Sequence, residues 1–164
     1  MKKYLTIVVV AVLALTSCEN GNNQVQEDLN KLMTQNDSIE KVRSTFENKH
    51  QEMSGKYEEL SQKLESREVQ DSSMLEKLAA YDVILQKHET WMNSHKEMIS
   101  GHDELRSDFE TMSDVEKQSQ IAKMKSDHQN IMREHETMKS EHNKMKNDFE
   151  DIQTTMNENQ EEEN

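Results

Sequence analysis

A seven-residue repeat of apolar side chains runs through most of this chain, and it restricts the fold to long, packed helices. The repeat first runs from Val25 to Leu60, and a second series, from Leu29 to Leu64, follows it four residues later. A pattern of this length is typical of helices that bury one narrow stripe against other helices. The chain contains no proline and only three glycines, which favours helix over sheet.

Two interruptions divide the repeat into three helical segments. One lies at residues 67–73 and the other at residues 113–116, and at each of them a serine precedes a glutamate by three residues, the spacing of a capping box. We predict helices over residues 24–69, 73–111 and 114–156. Because breaks this short make consecutive helices antiparallel, the predicted fold is all-α, an up-down-up antiparallel three-helix bundle or coiled coil of long helices. A dimer of longer helices is the main alternative.

The phases of the three repeats predict which side chains meet in the core. With a turn centred on Ser113, the second and third helices pair Trp91 with His135, Met98 with His128, His102 with Met124, and His88 with Met138. With a turn between Gln70 and Asp71, the first two helices pair His50 with Trp91, Met53 with His88, Phe46 with His95, and Ile39 with His102. The expected core therefore contains mixed histidine and methionine layers, and one layer that combines His50, Trp91 and His135.

All seven histidines fall in this seam, and two interpretations compete. Imidazole suits zinc, copper and nickel, and thioether sulfur adds a preference for Cu(I), so the seam could hold copper or zinc between helices. The candidate ligands are His50, His88, His95, His102, His128, His135, His142, Met98, Met124 and Met138. The structural alternative is that the rings are polar register markers, which long heptad proteins tolerate at a cost in stability.

A third interpretation of the histidines is pH sensing. Histidine titrates near pH 6.5, and a ring that is buried in its neutral form has a lower pKa in the folded state than in the unfolded state. Folding stability would then be lost as the pH falls below about 6.5.

The N-terminal segment resembles the signal peptide of bacterial lipoproteins. A positively charged start precedes an apolar run over residues 5–15, which is too short for a permanent membrane span. The sequence Leu-Thr-Ser-Cys then ends at Cys18 and resembles the lipobox of that family. The resemblance implies that residues 1–17 are removed and that Cys18, the only cysteine, carries acyl chains such as palmitate. Such chains hold a protein to a membrane.

The same resemblance implies a location in a bacterial cell envelope, on the periplasmic or the surface-exposed face of a membrane. Residues 18–23 would form a flexible lipidated tether. The helical remainder is similar to small, uncharacterised coiled-coil lipoproteins of Bacteroidetes-type bacteria, a likeness that implies no activity.

Charge excludes one class of partner. The chain has 20 basic and 33 acidic residues, and because Lys2 and Lys3 precede Cys18, the mature chain has a formal net charge of −15. Such a surface repels nucleic acid and anionic lipid head groups. Residues 157–164 are acidic and contain no apolar side chain, so we predict a disordered tail there.

No residue pattern in the chain indicates a reaction or a resident cofactor. The sequence lacks a recognisable nucleophile and base set, a phosphate-binding loop and a haem motif, and a narrow bundle offers no concave pocket. The leading hypothesis is a non-enzymatic, membrane-anchored scaffold or partner-binding module, with another envelope protein or a second copy of the chain as partner. A metal-sequestering lipoprotein and an envelope chaperone are the alternatives. Asp37-Ser38-Ile39 also resembles an O-glycosylation sequon of Bacteroidetes-type bacteria, with Ser38 as acceptor.

Overall fold

The protein is an all-α bundle of three long helices, as the sequence predicts. The structure, a computed structural model, describes residues 17–67 and 72–162. Helix α1 spans Ser17–Glu65, α2 spans Ser72–Asp108 and α3 spans Asp114–Glu162, with a 3₁₀ turn at Phe109–Thr111. Each helix packs against the other two, and the described residues include no strand. The two short connections make α2 antiparallel to α1 and α3.

The two ends of the bundle extend further than the sequence predicts. The backbone is helical from Ser17, so α1 includes residues 18–23, which were expected to form a flexible tether. Helix α3 likewise continues to Glu162 through most of the acidic segment expected to be disordered. Adding a residue to an existing helix is far easier than starting a new one. At the end of α3, Glu and Gln are also good helix formers, whereas residues 18–23 are mostly Asn and Gly, which are poor ones. Residues 1–16 of the predicted signal peptide, 1–17, and the predicted turn at Gln70 and Asp71 lie outside the described residues.

The connection between α2 and α3 contains the predicted capping box. The backbone N–H and the hydroxyl of Ser113 both donate to Glu116 Oε2, over 2.8 and 2.6 Å. In return, the Glu116 backbone N–H donates to the Ser113 hydroxyl oxygen over 3.4 Å. These bonds satisfy N–H groups that would otherwise be orphaned at the start of α3, and they fix the residue at which the helix begins.

The predicted seam is confirmed in α1 and α3. In α2 the series that contains the histidines is buried as predicted, and the second series is wrong by one residue. In α2 the residues that follow Tyr81, His88 and His95 by four positions are buried, and they are Leu85, Met92 and Ile99. The expected partners Ile84, Trp91 and Met98 follow by three and are only half-buried. At each of these heptads two apolar residues are adjacent in the sequence, and the structure buries the second of the pair.

The predicted pairing between helices is wrong by about one helical turn. His102 faces His128 rather than Met124, His95 faces His135, and His88 faces His142. Between α1 and α2 the shift is three residues: His50 meets His88, Ile39 packs with Ile99, and Phe46 packs with Met92. This displacement of α2 along its neighbours places histidine opposite histidine and apolar residue opposite apolar residue. The predicted mixed histidine and methionine layers are therefore absent from the described core.

Candidate functional site: three polar layers in the core

Three polar layers alternate with apolar layers in the middle of the bundle. We use "layer" for the core side chains that the three helices contribute at one height, and we name each by its α1 residue. The Asn36 layer is Asn36, His102 and His128; the Arg43 layer is Arg43, His95 and His135; the His50 layer is His50, His88 and His142. Between them lie an isoleucine layer, Ile39, Ile99 and Ile131, and a second apolar layer, Phe46, Met92 and Met138. Each polar layer thus takes one histidine from α2 and one from α3.

Hydrogen bonds tie Asn36 to both other helices. Asn36 is 1% exposed, and its side-chain N–H₂ donates to the Ile99 carbonyl and to Asp103, over 3.3 and 3.2 Å. Its side-chain oxygen lies 3.1 Å from His102 Nδ1 and accepts from His128 Nε2 over 3.4 Å. Because Asn36 links α1 to both other helices, this layer specifies one register of all three.

A fixed positive charge lies in the Arg43 layer. Arg43 is 7% exposed, and its guanidinium donates two bonds of 2.7 Å to Glu40 and a further bond to Glu47. These two carboxylates raise the pKa of Arg43, with Glu40 as the larger cause. The facing ring planes of His95 and His135 are nearly perpendicular, with centroids 5.0 Å apart. His95 Nδ1 and His135 Nε2 are buried without a partner.

Three imidazoles meet in the His50 layer. The ring centroids of His88 and His142 lie 4.7 Å apart, and the His50 ring lies 6.2 and 6.1 Å from them. One ring nitrogen from each of the three lies within 4.8 Å of the others, and this is the single such group of three potential ligands found among the described residues. His88 and His142 are 0% and 2% exposed, whereas His50 is partly exposed at the edge of the layer.

The hydrogen bonds of the His50 layer assign the protons on its rings. A carboxylate only accepts, so His88 Nε2 donates to Glu141 Oε2 over 2.6 Å, and its lone pair is on Nδ1. That nitrogen lies 3.1 Å from His142 Nε2, which therefore donates to it. The lone pair on His142 Nδ1 is then left buried without a partner, as is Nδ1 of His50.

Burial keeps the rings of this layer neutral near pH 7. Desolvation is the largest cause in each case, and it lowers the pKa of His50 and His88 and lowers the pKa of His142 to about 4. The neighbouring rings and Lys49 lower the pKa of His142 further. Desolvation, His95 and Arg43 likewise lower the pKa of His135 to about 4.

One carboxylate supports each α2 histidine. Asp127 bonds His102 over 3.1 Å, Glu134 bonds His95 over 2.5 Å, and Glu141 bonds His88 over 2.6 Å. Sequence reasoning missed these carboxylates, although each of them stands immediately before an α3 histidine. It also missed Asn36 and Arg43 as members of the polar layers. An acidic residue preceding a core histidine at every heptad is the signal that could have identified the carboxylates.

The candidate methionine ligands do not belong to these layers. Met98 packs on the isoleucine layer, Met138 is in the Phe46 layer, and Met124 lies in the apolar cluster with Leu29 and Phe109. Trp91 packs beside the Phe46 layer and stacks on His88, rather than joining His50 and His135. The seven candidate histidines are thus divided among three layers. The Asn36 and Arg43 layers contain two each, and the His50 layer contains three.

The expectation that a narrow bundle offers no concave pocket is wrong, because a groove of about 520 Å³ between α1 and α3 opens to solvent beside the Arg43 layer. Its lining includes Ile39, Val42 and Met132 together with Ser38 and His135. The Ser38 hydroxyl donates to the Thr34 carbonyl over 3.0 Å, so it is bonded to its own helix rather than to His135. Ser38 is exposed, as a glycosylation acceptor must be.

Comparisons with known proteins add no relative: no family model, no curated protein and no solved structure matches the chain. Within residues 17–67 and 72–162, no helix is long and apolar enough to cross a membrane.

Proposed function

We propose that the chain is a non-enzymatic lipoprotein of a bacterial cell envelope, in which Cys18 carries a lipid anchor and the bundle serves as a scaffold or partner-binding module. The observation that carries this proposal is the continuity between the lipobox and the bundle. Helix α1 begins at Ser17 and runs without interruption to Glu65, so the acylated residue would stand at one end of a rigid rod. A helix of 49 residues is roughly 70 Å long at 1.5 Å per residue.

The orientation of the rod follows from this continuity. Because α1 and α3 are parallel, the connection at residues 109–113 lies near the anchored end, and the α1–α2 connection and the end of α3 lie away from it. The negative charge of the bundle disfavours lying flat on anionic head groups. The helices would therefore project from the membrane and present their outer faces to a partner protein.

The groove beside His135 supports the non-enzymatic part of the proposal. A serine nucleophile needs a base within hydrogen-bond reach, and the Ser38 hydroxyl is bonded to a backbone carbonyl instead. The core histidines that have carboxylate partners are enclosed in the polar layers, where each is at most 4% exposed.

The anchor is tested by mass spectrometry of the protein extracted from cells that express the full chain. We expect a mature N-terminus at Cys18 that carries acyl chains, and an unmodified chain in the Cys18→Ala variant. A mature N-terminus elsewhere, with Cys18 free, contradicts the proposal.

The partner-binding role is tested by photo-crosslinking in intact cells, from single photoreactive residues at the exposed apolar positions Val83, Val115 and Met132. A discrete adduct of fixed mass from at least one position is expected for a scaffold. Absence of any adduct from all three positions contradicts that role, whether or not the anchor is present.

A further inference from the structure

We propose that His50, His88 and His142 form a binding site for a divalent transition-metal ion of the zinc type. One imidazole comes from each helix, and the three candidate ligand nitrogens lie within 4.8 Å of one another. Around a tetrahedral Zn²⁺, Zn–N bonds of 2.0–2.1 Å place the ligand nitrogens about 3.3 Å apart. His88 Nδ1 and His142 Nε2 are already 3.1 Å apart, so the remaining movement falls mainly on His50.

An unpartnered nitrogen points to a missing ligand in this layer. Nδ1 of His50 is buried without a hydrogen bond. A buried polar atom without a partner costs about 1–3 kcal/mol. An ion in the layer replaces the hydrogen bond between His88 and His142, and His142 then carries its proton on the ring nitrogen that does not bind the ion. No proton is lost or gained overall, because all three rings are neutral before and after binding.

The surroundings of His88 match the usual support of a metal-bound histidine. Its Nε2–H is held by Glu141, which is also bonded by Lys87 over 2.6 Å, so Nδ1 is the nitrogen left for the ion. Metal-binding histidines almost always donate their second N–H to such a group, which fixes the tautomer and the ring orientation. The lowered pKa values of the three histidines keep protons from competing with the ion near pH 7.

The other two polar layers do not offer the same site. Arg43 places a positive charge beside His95 and His135, which repels a cation, and it leaves only two imidazoles. In the Asn36 layer, the nitrogens of His102 face side-chain oxygens of Asn36 and Asp127, and both nitrogens of His128 lie 3.4 Å from side-chain oxygens of Asn36 and Gln35. The His50 layer is therefore the one polar layer of the described core that combines three imidazoles with unpartnered nitrogens.

The ligand set selects the class of metal. Neutral imidazole suits Zn²⁺, Cu²⁺ and Ni²⁺, whereas Cu(I) prefers sulfur ligands. The nearest methionines lie in the apolar clusters on either side, Met92 and Met138 above and Met53 and Met145 below. Partly exposed His50 gives the ion a path from solvent to the two buried rings.

Isothermal titration of the detergent-purified, metal-free full chain with ZnCl₂ tests the site. We expect one Zn²⁺ per chain with a sub-micromolar Kd, and loss of this binding in His142→Gln and in His50→Gln. His128→Gln is the matched control, since His128 and His142 are both 2% exposed on α3 and His128 lies outside the site. Glu141→Gln should weaken binding by roughly 10- to 100-fold without changing the far-UV circular dichroism of the metal-free protein.

Absence of Zn²⁺ binding to the folded wild-type chain overturns the proposal, as does equal binding by the His142→Gln, His50→Gln and His128→Gln variants. If a variant fails to fold, imidazole ¹⁵N spectra of the wild-type protein decide. Zn²⁺ should shift nitrogen resonances of His50, His88 and His142 and leave those of His128 unchanged; the reverse pattern refutes the site.

Discussion

Individual histidines make the core sensitive to acid. The folded pKa values of His135 and His142 are lowered to about 4, below the unfolded value of 6.5, so these rings take up protons in the unfolded state first. Their contribution to stability is complete above about pH 6.5 and is lost as the pH falls toward about 4. Each ring removes at most about 1.4 kcal/mol per pH unit over that range. The facing charged and titratable groups are His95 and Arg43 for His135, and His88, His50, Lys49 and Glu141 for His142.

We therefore expect the unfolding free energy from urea denaturation to fall between pH 7 and pH 5. The dependence should be weaker in the double variant His135→Gln, His142→Gln, because two of the responsible groups are removed. A wild-type stability that is constant over this range would show that neighbouring carboxylates, such as Glu134 and Glu141, compensate for the burial of the rings.

At the scale of whole helices, the sequence predicted the number and direction of the elements and their seam except for one series of α2, but not their relative height. The seven-residue period and the Ser113 capping box are local signals, and both are confirmed. Register in α2 depends on whether Trp91 or Met92 is buried, and both are apolar. The register of α2 is decided by contacts of its histidines with the α3 histidines and the carboxylates beside them. His88, for example, contacts His142 and Glu141. The contacts of His88 join residues more than fifty positions apart, so a local pattern can mark the residues but does not give the height at which the helices meet.

A double-mutant cycle tests this register. Met92 and Met138 share one apolar layer, whereas Met145 belongs to a different cluster with Met53 and Leu85. Met92→Ala and Met138→Ala should therefore be non-additive in unfolding free energy by roughly 0.5–3 kcal/mol, because both open the same layer. Met92→Ala and Met145→Ala, the matched control pair, should add to within about 0.5 kcal/mol. Coupling that is equal in the two pairs would contradict the observed pairing of α2 with α3.

For the whole molecule, the polar layers lower the stability of the bundle but specify a single register of its three helices. Apolar layers alone resemble one another along the bundle, so a slip by one heptad would still bury apolar surface. The three α1 residues that complete the polar layers, Asn36, Arg43 and His50, all differ, and each has different partners. A slip by seven residues would place Arg43 against the partners of Asn36 or of His50, and would bury a charge among the wrong groups.

Replacing the Asn36 layer with apolar residues separates these two effects. In the triple variant Asn36→Leu, His102→Leu, His128→Leu we expect an unfolding free energy that is unchanged or higher by about 1–4 kcal/mol, since buried polar groups are often less stabilising than apolar ones. The same variant should lose its single register, because one of the markers that fixes it is gone. Heteronuclear NMR spectra would then show more than one set of amide peaks, or sedimentation would show dimers of longer helices.

The control Ile39→Val, Ile99→Val, Ile131→Val should be less stable and yet give a single set of peaks. A uniform, monomeric triple-leucine variant would mean that the Arg43 and His50 layers specify the register without Asn36.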